Sequence, residues 1–381
     1  MGERGVITRP LRVLHVTTDS RIGGAERLIV ALARATPPSL ATVEVATLRP
    51  PGELTAALAA QGTMCHSLRI RHAAEMPLAE ARLIALVARR GYDVIHGHLV
   101  HGGAAAMSAG LIARVPVRVI TRHHSTVVWK YGSRVDRIIE VVANTLAQRV
   151  IAVGGAVRTV LVEREGVDPR KVVVIRNGID VAAVHAAGVP RRVRRSVGLV
   201  IGTVAALYPY KGHHTAFEAL RTLLSAGHET RYELVGEGPQ RSELQRFARA
   251  LGIADAITFL GFVADPFPVV KSWDVYLQPS IEEGLSMAVL EAMALARPVV
   301  CSRSGEMNEV IRHDEDGLLV APGDVAAIVE AVGRLARDRE WARCLGESAR
   351  ARVGREFDIT TVARAYVDAY RDLLPRGVPP H

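Results

Sequence analysis

The sequence predicts an α/β protein built from two Rossmann-like domains that face a central cleft. Three observations predict it. Short runs rich in Val, Ile and Leu alternate with longer helical stretches, the pattern of a doubly wound sheet of parallel strands. The alternation occurs in two successive series. Between them lies a basic, proline-containing stretch, Val189 to Arg195, that belongs to neither. Composition agrees: 49% of the 381 residues are hydrophobic and only 4% aromatic, so the cores are mostly aliphatic. Buried parallel strands read in just this way.

The first series opens with a strand over Arg12 to Thr18, a turn at Gly23-Gly24 and a helix from about Ala25 to Ala35. Further strands are expected at Val43 to Leu48, Val94 to His96, Val117 to Thr121 and Val150 to Val153, with helices at Leu78 to Arg90 and Arg134 to Gln148. The second series places strands at Leu199 to Val204, Tyr232 to Val235, Ala256 to Leu260, Val275 to Gln278 and Pro298 to Ser302, and a last helix over Thr360 to Leu374. The expected division is a first domain over 1–188, a linker over 189–197, a second domain over 198–358 and a terminal helix and tail over 359–381. In such folds ligands bind at strand C-termini, often between domains.

Several classes are excluded. Three widely spaced cysteines, Cys65, Cys301 and Cys344, with no CxxC pair, make neither a disulfide framework nor a thiolate zinc site. The N-terminal residues lack the apolar core of a secretory leader, and no uncharged run approaches the ~20 residues that cross a bilayer. The expected location is the cytoplasm. Charge is uneven: residues 1–190 hold 24 Lys+Arg against 14 Asp+Glu, the rest 24 against 25. The excess reads either as a soluble Arg-rich surface or as one that meets anionic lipid at the inner membrane face or an acidic acceptor. Its cations are scattered and no recognition motif accompanies them, which argues against nucleic acid.

The strongest local signal is Glu282 to Ala294, after a strand ending near Ser280. From Met287 to Ala296 the only charged residue is Glu291, on a helix otherwise apolar all round. Such a helix is buried, and an unpaired buried carboxylate is costly. Glu291 therefore needs a partner, either ligand hydroxyls or an arginine of a neighbouring element. Gly284 lets backbone approach a ligand closely, and the helix terminus after it offers N–H groups to phosphate. Lys211, just beyond the strand Leu199 to Val204, is placed to neutralise a diphosphate leaving group, or is simply a solvated loop lysine.

Together these segments resemble the family 4 glycosyltransferases, over about Arg12 to Tyr370. The most specific match is an E-x7-E pattern, Glu283 and Glu291, within PSIEEGLSMAVLEAMALARPVV. GGAE (Gly23 to Glu26) is similar to the family's N-terminal glycine loop, and TRHH places its active-site histidine at His123, with His124 adjacent. RNGID, LVGEGPQR, FLGFVADP and DGLLVAPGD follow in the family's order.

The resemblance implies the GT-B fold and transfer that retains the donor's anomeric configuration, without metal or other cofactor. It implies ribose binding by Glu291, Glu283 near the donor sugar, backbone of Gly284, Leu285 and Ser286 on sugar and phosphate, and Gly23 and Gly24 near the donor phosphates. The implied donor is a nucleotide sugar, UDP favoured over GDP, and the acceptor a glycan, a lipid-linked sugar or a small molecule. One departure bears on activity: Ala206 stands where the family has arginine ahead of the lysine, which leaves a catalytically impaired nucleotide-binding protein as the alternative.

His96 and His98 end one expected strand and His123 and His124 follow another, but no carboxylate or cysteine sits at ligand spacing, so metal is not expected. Trp129-Lys130-Tyr131 with Arg134 and Arg137 is expected to touch the acceptor or a membrane, or else to be a partly buried loop. A dinucleotide fold would need G-x-G-x-x-G; Gly23-Gly24 does not fit, and Gly236-x-Gly238 continues with Pro239.

Overall fold

A computed structural model describes residues 9–124, 127–186 and 198–374. The expected linker and the extreme N-terminus lie outside them. The chain forms two compact units, one of residues 1–178 and 359–381, the other of 179–358.

The first unit contains seven strands: β1 (Leu11–Thr17), β2 (Ala41–Thr47), β3 (Cys65–Ser67), β4 (Val94–His98), β5 (Val117–Arg122), β6 (Arg149–Ala152) and β7 (Val172–Val174). They pair in the order β3-β2-β1-β4-β5-β6-β7, all parallel. The second unit holds β8 (Leu199–Val204), β9 (Thr230–Val235), β10 (Ile257–Gly261), β11 (Val275–Gln278), β12 (Val299–Ser302) and β13 (Leu318–Val320), ordered β10-β9-β8-β11-β12-β13 and again parallel. Both orders reverse direction next to the first strand, between β1 and β4 and between β8 and β11. These switch points are where ligands bind in open α/β sheets.

Central strands such as β8, Leu-Val-Ile-Gly-Thr-Val, are buried along nearly their whole length because helices cover both faces. The three-residue strands β3, β7 and β13 are all at sheet edges and were not expected from the sequence, since three residues carry no readable period.

The chain divides elsewhere than expected. Ile179 belongs to the second unit, its N–H donating to Phe357 O at 2.9 Å. The last helix, Ile359–Arg371, is part of the first unit rather than a separate appendage. Tyr370 Oη lies 2.6 Å from His96 Nδ1, and Arg149 donates to the carbonyl of Ala369. Its buried stripe, Ile359, Val362, Ala363, Tyr366, Val367 and Tyr370, follows the 3.6-residue period.

Candidate functional site

In the second unit the loop after β8 is laced to the loop after β11. Gly212 adopts a left-handed conformation (φ +70°), and a side chain there would collide with the carbonyl of Pro279. The N–H of Ile281 donates to Tyr210 O at 2.8 Å, and that of Glu282 to the same oxygen at 3.2 Å. This lacing brings together two residues expected from the sequence. Lys211 Nζ donates to Glu283 Oε1 at 2.9 Å and Oε2 at 2.7 Å. Ser280 Oγ also donates to Glu283, at 3.1 Å, and Gln278 links Ser280 to Tyr276. Lys211 is thus no free loop lysine: its ammonium is held beside Glu283 by short backbone-anchored turns.

The helix that follows, Met287–Ala294, begins at Ser286, whose hydroxyl accepts from the N–H of Val289. Gly284, Leu285 and Ser286 are all buried, as is Glu291. Burial pushes the Tyr276 phenol well above its ordinary value, and the negative charge of Glu291 adds to the effect. Glu283 adds to the same effect, so the charges of both glutamates act on this phenol of β11. The carbonyl of Gly284 accepts from the N–H of Glu306, and Gly305 packs directly on the Glu283 carbonyl.

In the first unit, Gly23 and Gly24 are exposed at the start of the helix Gly24–Ala35, one residue earlier than expected. Glu26 secures this loop from within: its carboxylate accepts from the N–H of Gly23 at 3.1 Å and from Thr17 Oγ1 at 3.0 Å. Burial raises its carboxyl above the ordinary range.

His123 is buried at the end of β5 and belongs to a cluster that sequence reasoning only half found. The parallel register sets His15 on β1 beside His96 on β4, and His98 beside Thr121 on β5. His123 Nε2 lies 3.1 Å from His98 Nδ1, and His98 Nε2 lies 2.8 Å from His15 Nδ1. His96 spans Thr121 (2.8 Å) and Tyr370 (2.6 Å). Burial drives all four imidazoles far below their ordinary value, His15 and His123 to about 3, so each is neutral at pH 7.

Nitrogens of His15, His96 and His98 fall within 4.8 Å of one another, a spacing that metals use. The rings, however, lie one over another, His96 on His98 with centroids 4.3 Å apart and planes 21° from parallel. The ring nitrogens are also engaged already, His15 with His98, His98 with His123, and His96 with Thr121 and Tyr370.

A second group was missed altogether. Arg122 forms a two-pronged pair with Glu165 at 3.0 and 2.5 Å, and its Nε lies 3.0 Å from Glu140. Glu165 also accepts from Trp129 Nε1 and Asn144 Nδ2. The signal was available: Glu140 interrupts the apolar run Ile138-Ile139 and Val141-Val142 of its helix, as Glu291 does in its own. Trp129 is accordingly a half-buried structural residue, with Arg137 and Arg164 over its ring, not a free anchor; Lys130 is exposed, and the Tyr131 side chain lies outside the described residues.

Residues 22–183 match the family model described as Glycosyltransferase Family 4, and residues 198–338 that described as Glycosyl transferases group 1. The chain is 31% identical over 285 residues to the 2-deoxystreptamine glucosyltransferase of Streptomyces kanamyceticus, covering 70% of this chain and 72% of that protein. It is 23% identical to the UDP-Gal:alpha-D-GlcNAc-diphosphoundecaprenol alpha-1,3-galactosyltransferase of Escherichia coli, over 77% and 78% of the two chains. Among solved structures, HepE of Anabaena in complex with UDP-glucose superposes with a TM-score of 0.81 at 21% identity, over 94% of this chain and 98% of that one. Two parallel Rossmann-like units, the E-x7-E segment and these matches agree: the chain belongs to glycosyltransferase family 4, enzymes of the GT-B fold that use nucleotide-sugar donors.

Proposed function

We propose that this enzyme transfers a hexose with retention of configuration from a UDP-sugar, without a metal or other cofactor. The observation that carries the reading is the Lys211–Glu283 pair, set by interlaced turns beside the start of the helix Met287–Ala294. Lys211 faces the departing diphosphate, together with the helix-terminal backbone of Gly284, Leu285 and Ser286. Glu291 takes the ribose hydroxyls and Glu283 the region of the donor sugar. Within the first domain, Gly23, Gly24 and His123 are the residues that the family pattern assigns to the reaction. The acceptor hydroxyl attacks on the face the diphosphate leaves, and a readily departing diphosphate makes a protein nucleophile unnecessary.

The test is hydrolysis or transfer across UDP-, GDP- and ADP-sugars by wild type, Lys211→Ala and Glu291→Ala. Removing one preorganised charge contact of this kind costs about 10²–10³-fold in rate. Unchanged turnover in either variant removes that residue from the site. A second reading, a homologue that binds nucleotide but no longer turns over, rests on Ala206, which is exposed where the family carries arginine. UDP binding with no turnover on any donor establishes it.

One relative is named for 2-deoxystreptamine and another for a diphosphoundecaprenol-linked sugar, so small-molecule and lipid-linked acceptors, like glycans, both fit this chain. Contact with an anionic membrane moves from the Trp129 segment to the next helix, Arg134–Leu146. Val135, Ile138 and Val142 there are 62%, 63% and 51% exposed, with Ile112 of the helix Val100–Ile112 also outward, in the half of the chain that carries the positive excess. No helix among the described residues is long and apolar enough to cross a membrane. Vesicles rich in phosphatidylglycerol bind wild type and not the Ile138→Glu, Val142→Glu double variant; failure of wild type to bind refutes the surface.

A further inference from the structure

The helix Arg134–Leu146 has its amphipathicity inverted. Val135, Ile138, Val141 and Val142 face outward beside the exposed Arg134 and Thr145, whereas Glu140 and Asn144, one turn apart, are buried. That polar face lines a cavity of about 160 Å³, walled also by Ile120, Arg122, His123 and Val128. An engineered apolar cavity of about 150 Å³ holds benzene, so this space takes one six-membered ring.

Arg122 and Glu140 line the cavity, and Glu165, bonded to Arg122 and Asn144 from behind that wall, brings a second carboxylate to the one guanidinium. Arg122 is the one permanent cation among the described lining residues, and it serves two carboxylates. Glu165, 1% exposed, is saturated by Arg122, Trp129 and Asn144. Glu140 has Arg122 as its one ion-pair partner among the described residues, and burial pushes its carboxyl up to about 7, against the pull of the guanidinium. Asn144 commits its amide N–H to Glu165, while its Oδ1, on a residue 4% exposed, accepts no hydrogen bond from the described residues. Buried acceptors of this kind are rare unless a ligand or water completes them. A hydroxyl would complete Asn144 but leave the surplus charge, and a phosphate or carboxylate would add to it.

We propose that this cavity binds the ammonium group of a hydroxyl-bearing six-membered ring, which donates to Glu140 and to Asn144 Oδ1. Resting on the glycosyltransferase reading above, the ring is the accepting unit, an amino sugar or amino cyclitol with its amine free, whether as a small molecule or at the end of a larger acceptor. His123 lines the same cavity and borders the ring.

The test is ligand-observed NMR on the full chain at pH 7 with D-glucosamine, D-glucose and N-acetyl-D-glucosamine, and with UDP in the same samples. Glucosamine binds about tenfold or more tightly than the two neutral sugars, as expected when a buried charge gains its partner, and Glu140→Gln abolishes the preference. Equal binding of the three sugars, or a preference that survives Glu140→Gln, overturns the proposal. The wild-type comparison alone decides it should the variant fail to fold. Bound UDP with no preference for the amine sinks only this inference; absence of UDP binding sinks the donor reading on which the acceptor role depends.

Discussion

Gly305 tests whether the donor loop must sit where the structure holds it. The residue follows β12 with φ +55°, in the left-handed region, and its Cα abuts the loop that carries Glu283 and Gly284. An alanine methyl there would meet the Glu283 carbonyl, with its carbon 2.7 Å away and Gly284 O at 2.9 Å. Carbon atoms rest at about 3.5 Å or more and the Glu283 oxygen lies nearer still, so the loop must withdraw by about 1 Å or more. A misplacement of about 1 Å at a reacting centre costs on the order of 10²-fold in rate. The left-handed backbone itself costs about 1–3 kcal/mol with a non-glycine residue, or roughly 2–4 °C in Tm per kcal/mol for a domain of this size. Gly323 separates the two effects: it has a similar conformation, φ +81°, but nothing within 4 Å of an added methyl. Gly305→Ala and Gly323→Ala should both lower Tm. Only Gly305→Ala should slow release of nucleoside diphosphate from the donor, by about 100-fold. Equal turnover in the two variants would refute the idea that this contact positions the loop.

Two further predictions concern the first domain. Glu165→Ala leaves the two terminal nitrogens of Arg122, Trp129 Nε1 and the Asn144 amide without their acceptor in a buried setting, with Glu140 still beside the Arg122 Nε. Breaking a buried pair from one side costs about 3–5 kcal/mol, read as a shift in urea midpoint at unchanged m-value; a loss under about 1 kcal/mol contradicts the assignment. Acid should destabilise the domain through its histidines. The folded imidazoles bind protons less readily than the unfolded ones, so stability is complete above the unfolded pKa near 6.5 and falls as pH drops towards 3. His15 and His123 alone remove about 3 kcal/mol at pH near 5.5, while Glu140, shifted upwards, gains stability as pH falls from about 7 and offsets part of it. Urea midpoints at pH 7.5 and 5.5 that coincide would show that the cluster is not buried and neutral.

Much of the fold was legible locally. β8 and β11 have the expected bounds to the residue, because buried aliphatic runs between turn signals report strands directly. Glu291 announced itself as one acid in an apolar helix, and the structure buries it as that pattern required. The strands Cys65–Ser67, Val172–Val174 and Leu318–Val320 were silent because pairing with a neighbour, not their own sequence, makes them strands.

What the tertiary structure alone decided are the partnerships. Lys211 meets Glu283 because a left-handed glycine and two backbone hydrogen bonds close 72 residues of chain. His15 joins His98 across 83 residues through strand register, and the final helix returns to the first domain to place Tyr370 on His96. Sequence patterns carry the period of a helix or strand and the cost of a misplaced charge, both local quantities. Which distant groups share a buried charge or proton depends on register and loop closure, and those are settled only when the sheets assemble.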